Sequence, residues 1–177
     1  MNKIEKKRNP EKVAKTVKVA KPKAKPSKPK ELLYFLRTCA KDGSSYGGFQ
    51  WDLREGAVNT APDWKPTKEC GYGLHGLLGG QGEAHHLDWS ENAIWVVFSS
   101  PTSIDLEGKH KVQHATICIS GDRKTATDYL LALGFSCVHG SFTTAGDNGT
   151  ATAGDGGHAT AGDNGIATAG YYGTATA

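Results

Sequence analysis

The spacing of apolar and polar residues changes along the chain and predicts different structures for different stretches. From residue 31 to 140, short apolar runs alternate with loops rich in glycine and proline. Residues 32–39 and 93–99 are β-prone apolar runs typical of buried strands, and residues 112–120 alternate as a strand does. We therefore expect a small α+β domain over residues 31–140, with mainly antiparallel strands.

One segment of this domain has the apolar spacing of a helix. Between Arg123 and Leu133, apolar side chains recur every three or four residues. Asp122 is suited to cap the first turn, and Gly134 is suited to end the helix. Glycines crowd the stretch around residues 73–80, which favours tight loops there rather than a regular element.

Residues 141–177 repeat with a period of eight. The register is marked by Ala145, Ala153, Ala161, Ala169 and Ala177, and a glycine follows each of the first four. The x-Ala-Thr-Ala part fits a strand and the Gly-x-x-Gly part fits a turn with positive φ, so two units would form one coil of a β-solenoid. Either alanine or threonine could face inward, and a flattened interior favours alanine. Disorder is the alternative that so glycine-rich a composition leaves open.

The number of units limits what the repeat can do. Four and a half units make barely two coils, which bury little apolar surface. We therefore expect the preceding domain to cap the repeat on one side. On the other side, pairing with a second copy of the chain would make a homo-oligomer.

The octapeptides resemble those of bacterial ice-nucleation proteins, which carry Thr-x-Thr pairs. Thr150 and Thr152 form one such pair and Thr174 and Thr176 another, while His158 and Ile166 interrupt the pattern between them. Organising ice-like water requires a broad, flat, repetitive face, which two coils cannot supply. The resemblance therefore implies a structural or self-association module rather than an ice template.

Charge separates the first thirty residues from the remainder. Residues 1–30 carry twelve basic and two acidic residues, whereas the remainder carries nine basic and sixteen acidic residues. Prolines exclude a helix at the end of this stretch, so we expect a disordered basic arm. Such an arm would contact nucleic acid or another polyanion electrostatically, and a solubilising tail is the alternative. The candidate contacts are Lys21, Lys23, Lys25, Lys28 and Lys30.

Cysteine and histidine spacing gives no sign of a metal site. Cys39, Cys70, Cys118 and Cys137 are dispersed, which is typical of reduced thiols in a cytosolic protein, although two disulfides would form if the protein is exported. Cys70 lies near His75, His85 and His86, but without the paired spacing that zinc sites use. We expect no metal and no cofactor. No segment reaches the ~20 apolar residues that span a bilayer, so no membrane partner is expected either.

The first strand carries the candidate chemistry. Arg37 and Thr38, followed by a glycine-rich stretch containing His75, resemble ADP-ribosyltransferase-like folds. In those folds a first-strand Arg or His holds the dinucleotide and a later Glu serves catalysis. The resemblance implies a nucleotide-using enzyme with Arg37, His75 and Glu107 as its candidate catalytic residues. The chain lacks a GxxxxGK[ST] motif, and we favour a non-enzymatic binding or structural protein instead.

Residues 31–134 also resemble a family of uncharacterised bacterial and phage domains. The shared features are a first-strand opening, a short aromatic F-x-[WY] strand at Phe49 to Trp51, and a C-x-x-G-[LF]-H motif. Cys70, Gly73 and His75 carry that motif here. Members often have Gly/Ala/Ser/Thr repeat tails. The resemblance implies a phage or mobile-element setting, so the expected location is the cytoplasm or a phage particle.

Overall fold

The computed structural model describes residues 31–177. The body of the molecule, residues 31–140, contains one curled sheet and one α-helix. Its elements are β1 (Leu33–Cys39), β2 (Val58–Thr60), β3 (Leu74–Leu78), β4 (Ile94–Ser100), β5 (Ile104–Asp105), β6 (His110–Val112), β7 (His114–Gly121) and α1 (Arg123–Ala132). Two 3-10 turns span Tyr46–Gly48 and Ala84–His86. The prediction of a mainly antiparallel sheet with one helix is confirmed.

The sheet has the order β2-β7-β4-β1-β3-β6-β5, and every pairing in it is antiparallel. Gln113 alone links β6 to β7, yet three strands separate these two in the sheet. The sheet must therefore curl until its two sides approach each other at Gln113. A register shift between β4 and β7 at Val97 and Phe98 is the kind of irregularity that increases such curvature.

Alternation along the strands supplies two cores, one on each face of the sheet. Phe35 and Phe98 are fully buried in one core, with their rings stacked 5.1 Å apart. Leu36 and Val97, the neighbours of these residues in sequence, lie in the other core beneath Leu130 of α1. The side chain of Asp122 caps α1 by accepting from the Thr125 amide at 2.7 Å, as the sequence predicts.

The expectation of a loop around residues 73–80 is wrong. Leu74–Leu78 forms β3, which pairs with both β1 and β6. Gly76 serves close packing rather than a turn, because a Cβ there would lie 2.8 Å from the Phe98 ring and 2.9 Å from Phe35 Cβ. The expected strand at Phe49 to Trp51 is also absent from the described residues, which show only a single bridge between Ser44 and Gln50.

Strands sixteen residues apart pair in parallel throughout the repeat. The strands are β8 (Phe142–Thr144), β9 (Thr150–Thr152), β10 (His158–Thr160), β11 (Ile166–Thr168) and β12 (Thr174–Thr176). One sheet has the order β12-β10-β8 and the other consists of β11 and β9. The small interior between them is alanine: Ala151 and Ala159 are buried, whereas Ala175 is exposed.

The turns of the repeat differ from the prediction in where positive φ falls. The left-handed residues are Asn148, Gly156, Asn164 and Tyr172, not the paired glycines. Those glycines are needed because successive coils approach closely. A Cβ on Gly165, for example, would lie 2.7 Å from Ala161 Cβ and 3.0 Å from the Gly149 carbonyl oxygen.

Candidate functional site

An open cleft of about 990 Å³ lies where β1 and β3 part. The two strands pair only at Phe35↔Leu78 and Leu36↔Leu77, so their ladder ends beside Arg37. The glycine-containing turn Tyr46–Gly48 and the turn Ala84–His86 lie along the opening. The polar and aromatic residues that line the cleft are Arg37, Thr38, Ser45, Tyr46, Phe49, Gln50, Asp63, Cys70, Tyr72, His75, His85, His86 and Lys109.

Arg37 spans the gap between the two strands. Its Nη1 donates to the His75 carbonyl oxygen at 3.2 Å, and its Nε and Nη2 donate to the Thr38 carbonyl oxygen at 3.3 and 3.2 Å. Its guanidinium lies 4.1 Å from the centroid of the Trp51 ring. Burial lowers the pKa of Arg37 from its ordinary value, but a guanidinium remains charged in a protein. Within residues 31–177 no carboxylate lies at ion-pair distance from it.

His75 sits among cations. Burial and the nearby charges of Lys109, Arg37 and Lys111 lower the pKa of His75 to about 4, with Asp63 acting weakly in the opposite direction. The ring is therefore neutral at pH 7. Its Nε2 atom is buried and has no hydrogen-bond partner among the described residues. An orphaned polar atom of this kind calls for an explanation, and a bound ligand is one.

Lys111 is a buried cation that the sequence analysis missed. It lies opposite His75 in the β3–β6 register and is 0% exposed. Its ammonium donates to the Glu69 carbonyl oxygen at 2.7 Å and to the Gly71 carbonyl oxygen at 3.4 Å. Uncharged oxygens thus solvate it in place of a carboxylate. No signal for it is visible in the sequence, because Lys111 stands among mainly polar residues at 109–114 and lysine is rarely fully buried.

Aromatic side chains form the outer part of the cleft. Tyr46 is fully exposed on its turn, and Tyr72 is 37% exposed with the Lys65 ammonium 3.7 Å from its ring centroid. Phe49 packs edge-on against Trp51 at 5.5 Å. Trp51 itself is buried and donates from Nε1 to the Ser45 hydroxyl at 3.1 Å. The cleft therefore combines a cationic floor with an aromatic rim.

Among residues 31–177, the structure brings together all of the predicted site residues except one. Arg37, Phe49, Cys70, Gly73 and His75 all line the cleft, and Trp51 lies behind Arg37. Glu107 does not line it.

The exposed turn between β5 and β6 holds Glu107, whose amide donates to Asp105 Oδ1 at 2.8 Å. The proposed trio of Arg37, His75 and Glu107 is therefore not assembled. The arm lysines Lys21, Lys23, Lys25, Lys28 and Lys30 lie outside the described residues, so their contact with polyanions stays a prediction.

A second group of side chains lies at the edge of the cleft. Glu83 Oε2 is 3.5 Å from His85 Nε2 and 3.3 Å from His86 Nε2. One ligand-type atom from each of the three lies within 4.8 Å of the others, close enough to hold one cation. Sequence spacing pointed to Cys70 and His75 as the neighbours of these histidines and missed Glu83.

All four cysteines are free thiols, and within residues 31–177 no helix is long and apolar enough to cross a membrane.

The junction between body and repeat is built around His139. Its Nε2 lies 2.9 Å from the Gly82 carbonyl oxygen, and its Nδ1 accepts from the Asp155 amide at 3.0 Å. A carbonyl only accepts and an amide N–H only donates, so these contacts require the neutral ring with its proton on Nε2. His139 is 7% exposed, and the adjacent Ser141 is fully buried.

Comparison with known proteins finds ice-nucleation proteins. The chain is 36% identical over 106 residues to the ice nucleation protein of Xanthomonas campestris pv. translucens, covering 58% of this chain and 7% of that protein. It is 30% identical over 105 residues to ice nucleation protein InaU of Pantoea ananas and to the ice nucleation protein of Enterobacter agglomerans. Each of these matches covers 57% of this chain, and they cover 10% and 8% of the relatives. The chain thus spans a tenth or less of the length of these relatives.

The matched stretches are longer than residues 141–177, so the similarity reaches beyond the repeat into the body. No family model matches the chain. The resemblance of residues 31–134 to an uncharacterised domain family, with its C-x-x-G-[LF]-H motif, therefore has no independent support. No solved structure matches either.

Proposed function

We propose that the chain is a non-enzymatic structural protein, in which the body carries the repeat as a short, firmly docked β-solenoid. The observation that carries this proposal is that the hydrogen-bond ladder of the repeat continues into the body. The Asp163 amide donates to Asp147 Oδ1 at 3.0 Å, and the Tyr171 amide donates to Asp155 Oδ1 at 2.7 Å. The Asp155 amide donates to His139 Nδ1 at 3.0 Å in the same way, sixteen residues apart.

Backbone hydrogen bonds also join each of these turns to the turn one coil further along the chain. The Asn148 amide donates to the Asp163 carbonyl oxygen at 2.8 Å, and the Gly140 amide donates to the Asp155 carbonyl oxygen at 2.8 Å. Gly140 has φ +74°, in the left-handed region that Asn148 and Gly156 also occupy. The turn at the end of the body is therefore a template on which the turn around Asp155 is stacked.

Packing explains why the repeat needs this template. Its core consists of Ala151, Ala153 and Ala159, with Ala145 and Ala167 against it. An alanine-only interior buries too little surface to balance the entropy of ordering a separate coil.

Larger side chains join the body and the repeat at the first coil. Phe142 lies between the Arg123 guanidinium, 4.8 Å from the Phe142 ring centroid, and the His158 ring, stacked on it at 5.0 Å. The contact with Phe142 and the ladder at His139 together attach the repeat to the body. A rigid attachment of this kind suits a structural role.

The repeat also offers strand edges for assembly, and we include pairing with a second copy in the proposal. Among the described residues β11 pairs only with β9, and β12 pairs only with β10. Each of them thus has one edge that another strand can join. The similarity to proteins far longer than this chain is consistent with a module that works by stacking.

Ice templating is not part of the proposal. On the outer face of the three-stranded sheet, Thr144, Thr160 and Thr176 form one column. The neighbouring column on the same face consists of Phe142, His158 and Thr174, so it does not repeat one residue type. Droplet-freezing assays should therefore give the freezing temperature of buffer, and freezing at a clearly higher temperature would contradict this exclusion.

Docking is tested by His139→Ala in the full chain. The substitution removes both junction hydrogen bonds and a buried ring, so amide exchange across residues 141–177 should accelerate by at least tenfold. Exchange in β1 and β4 should stay slow. Lys124→Gln on the exposed surface of α1 is the matched control and should leave both regions unchanged. Equal protection of the repeat in His139→Ala and wild type would refute docking.

Pairing is tested by sedimentation over a range of concentrations. Thr168→Lys with Thr176→Lys places charges beside the open edges and should abolish association, because like charges would face each other across the new pairing. Thr144→Lys adds the same charge on the first coil, away from those edges, and should not. A wild-type chain that stays monomeric at high concentration would remove this part of the proposal and leave docking intact.

A further inference from the structure

We propose that the cleft between β1 and β3 binds the phosphate groups of a nucleotide-class ligand through Arg37, His75 and Lys109. This inference does not depend on the structural role of the repeat. It concerns a part of the body that the ladder at His139 does not use.

Positive charge is concentrated around His75 at the cleft. Arg37, Lys109 and Lys111 surround His75, and within residues 31–177 none of the three has a carboxylate at ion-pair distance. The described chain as a whole is acidic, with sixteen acidic and nine basic residues, so the cluster is a local departure from its surroundings. Lys111 is fully buried and Arg37 and Lys109 are partly buried. Cations held even partly out of water without an anion are unfavourable, and a bound anion would relieve that.

The cleft also holds side chains with hydrogen-bond donors that a ligand can use. Three of the contacts of Arg37 go to backbone carbonyls, and its guanidinium has further N–H groups to offer. The neutral ring of His75 has an unpartnered Nε2, and the flexible Lys109 ammonium lines the same cleft. Donors from three side chains suit a phosphate, which has three terminal oxygens, better than a carboxylate, which has two.

The size and the aromatic lining of the cleft suit a ligand that is larger than a phosphate. A volume of about 990 Å³ is far larger than a single phosphate needs and is at the upper end of small-ligand sites. Tyr46 and Tyr72 present exposed ring surface at the opening. Planar bases stack on such rings, and this stacking is worth about 1–3 kcal/mol per base in single-stranded nucleic-acid complexes. A phosphate joined to a base would therefore use both parts of the cleft.

Calorimetric titration of the full chain with ADP, pyrophosphate and adenosine tests the proposal. The basic arm would bind anions by itself, so the titrations use a variant in which all eleven lysines of residues 1–30 and Arg8 are changed to Gln. ADP should bind at least tenfold more tightly than adenosine and several-fold more tightly than pyrophosphate. No binding of ADP, or equal affinity for ADP and adenosine, would overturn the phosphate site. Equal affinity for ADP and pyrophosphate would overturn the nucleotide class.

Variants in the same background locate the site. Arg37→Gln should weaken ADP binding by tenfold or more, and Lys109→Gln should weaken it several-fold. Lys124→Gln changes a lysine on α1 outside the cleft and should have no effect. Unchanged affinity in both cleft variants would show that ADP binds elsewhere and would refute the proposal.

A second readout does not require Arg37→Gln to fold. In the unmodified cleft, a bound phosphate should raise the pKa of His75 from about 4, because the anion stabilises the protonated ring. NMR titration of the His75 ring with and without saturating ADP measures this directly. A pKa of His75 that does not move on ADP binding would contradict contact between phosphate and His75.

Discussion

In the body, Phe35, Phe98 and Trp51 lie in a core on one face of the sheet, and a second core lies under α1 on the other face. In the repeat, by contrast, the interior is alanine alone, and burial falls from Ala151 and Ala159 to the exposed Ala175. Both regions consist mainly of strands, but we expect the body to be stabilised by its own cores and the repeat to be stabilised by its contact with the body. The comparison teaches that a regular sequence repeat need not be an independent unit of folding.

The largest expected effect is on the body core. Phe98→Ala removes a fully buried ring stacked on Phe35 and should cost about 3–5 kcal/mol of unfolding free energy. Because the repeat is docked on the body, it should unfold in the same transition, as followed by denaturant titration with amide exchange. Val58→Ala, on an exposed strand position, is the control. If the repeat stays protected from exchange after the body has unfolded, then the repeat does not depend on the body for its stability.

The next effect concerns the interior of the repeat. Ala159→Leu adds three heavy atoms where the side chain is 1% exposed and should cost about 1–3 kcal/mol by overpacking. Because the strain is confined to the repeat, exchange should accelerate in residues 141–177 and not in β4. Thr160→Leu, at the exposed neighbouring position, should have a much smaller effect. Equal acceleration in the body would mean that the two regions form one cooperative unit.

A pH effect should be confined to the body. The pKa of His75 is about 4 in the folded chain against an ordinary value of 6.5, because burial, Lys109, Arg37 and Lys111 outweigh Asp63. The unfolded chain therefore binds the proton first, and stability is lost as the pH falls from about 6.5 towards 4. The loss at pH 5 should be on the order of 1 kcal/mol after allowance for solvent screening.

His75→Gln should flatten this dependence, since the amide does not titrate. The unfolding free energies of the variant and the wild type are measured at pH 7 and at pH 5, and the difference between the two proteins is compared across the two pH values. A difference that is the same at both pH values would show that His75 is not held neutral by its surroundings.

The smallest effect is at the end of the repeat. Tyr172 adopts φ +56°, a conformation that Asn148 and Asn164 occupy at the equivalent turns. Asparagine tolerates this region better than tyrosine, so Tyr172→Asn should stabilise the last turn by about 0.5–1 kcal/mol. Slower exchange of the amides around Gly173 would be the readout, with Tyr171→Asn as a control at an ordinary φ. Faster exchange in Tyr172→Asn would mean that the tyrosine ring contributes packing that outweighs its backbone strain.

The sequence predicted those features that periodicity encodes directly. The apolar runs at β1 and β4 and the helical spacing of α1, with Asp122 as its cap, correspond to observed elements. Parallel pairing joins residues sixteen apart, a distance equal to two of the eight-residue units seen in the sequence. β3 was missed because glycine signals a turn and close packing equally, and only the position of Phe98 decides which one applies at Gly76.

The site was predicted in part for a similar reason. Arg37, Cys70 and His75 were singled out on motif grounds, and they do converge on one cleft. Lys111 and Glu83 were not found, because their roles come from the β3–β6 register and from a 3-10 turn, neither of which has a sequence period. His139 escaped for another reason: it stands where the octapeptides have aspartate, and its equivalence to Asp155 is visible only in the ladder.

The most direct test of docking is the hydrogen bond between the Asp155 amide and His139 Nδ1. An N–H···N bond transmits a scalar coupling between its two nitrogens, which NMR detects in a uniformly 15N-labelled chain. We predict a resolved coupling between the Asp155 amide nitrogen and His139 Nδ1, together with ring shifts of the neutral form protonated at Nε2. Absence of the coupling, with a ring protonated at Nδ1 at neutral pH, would contradict the account.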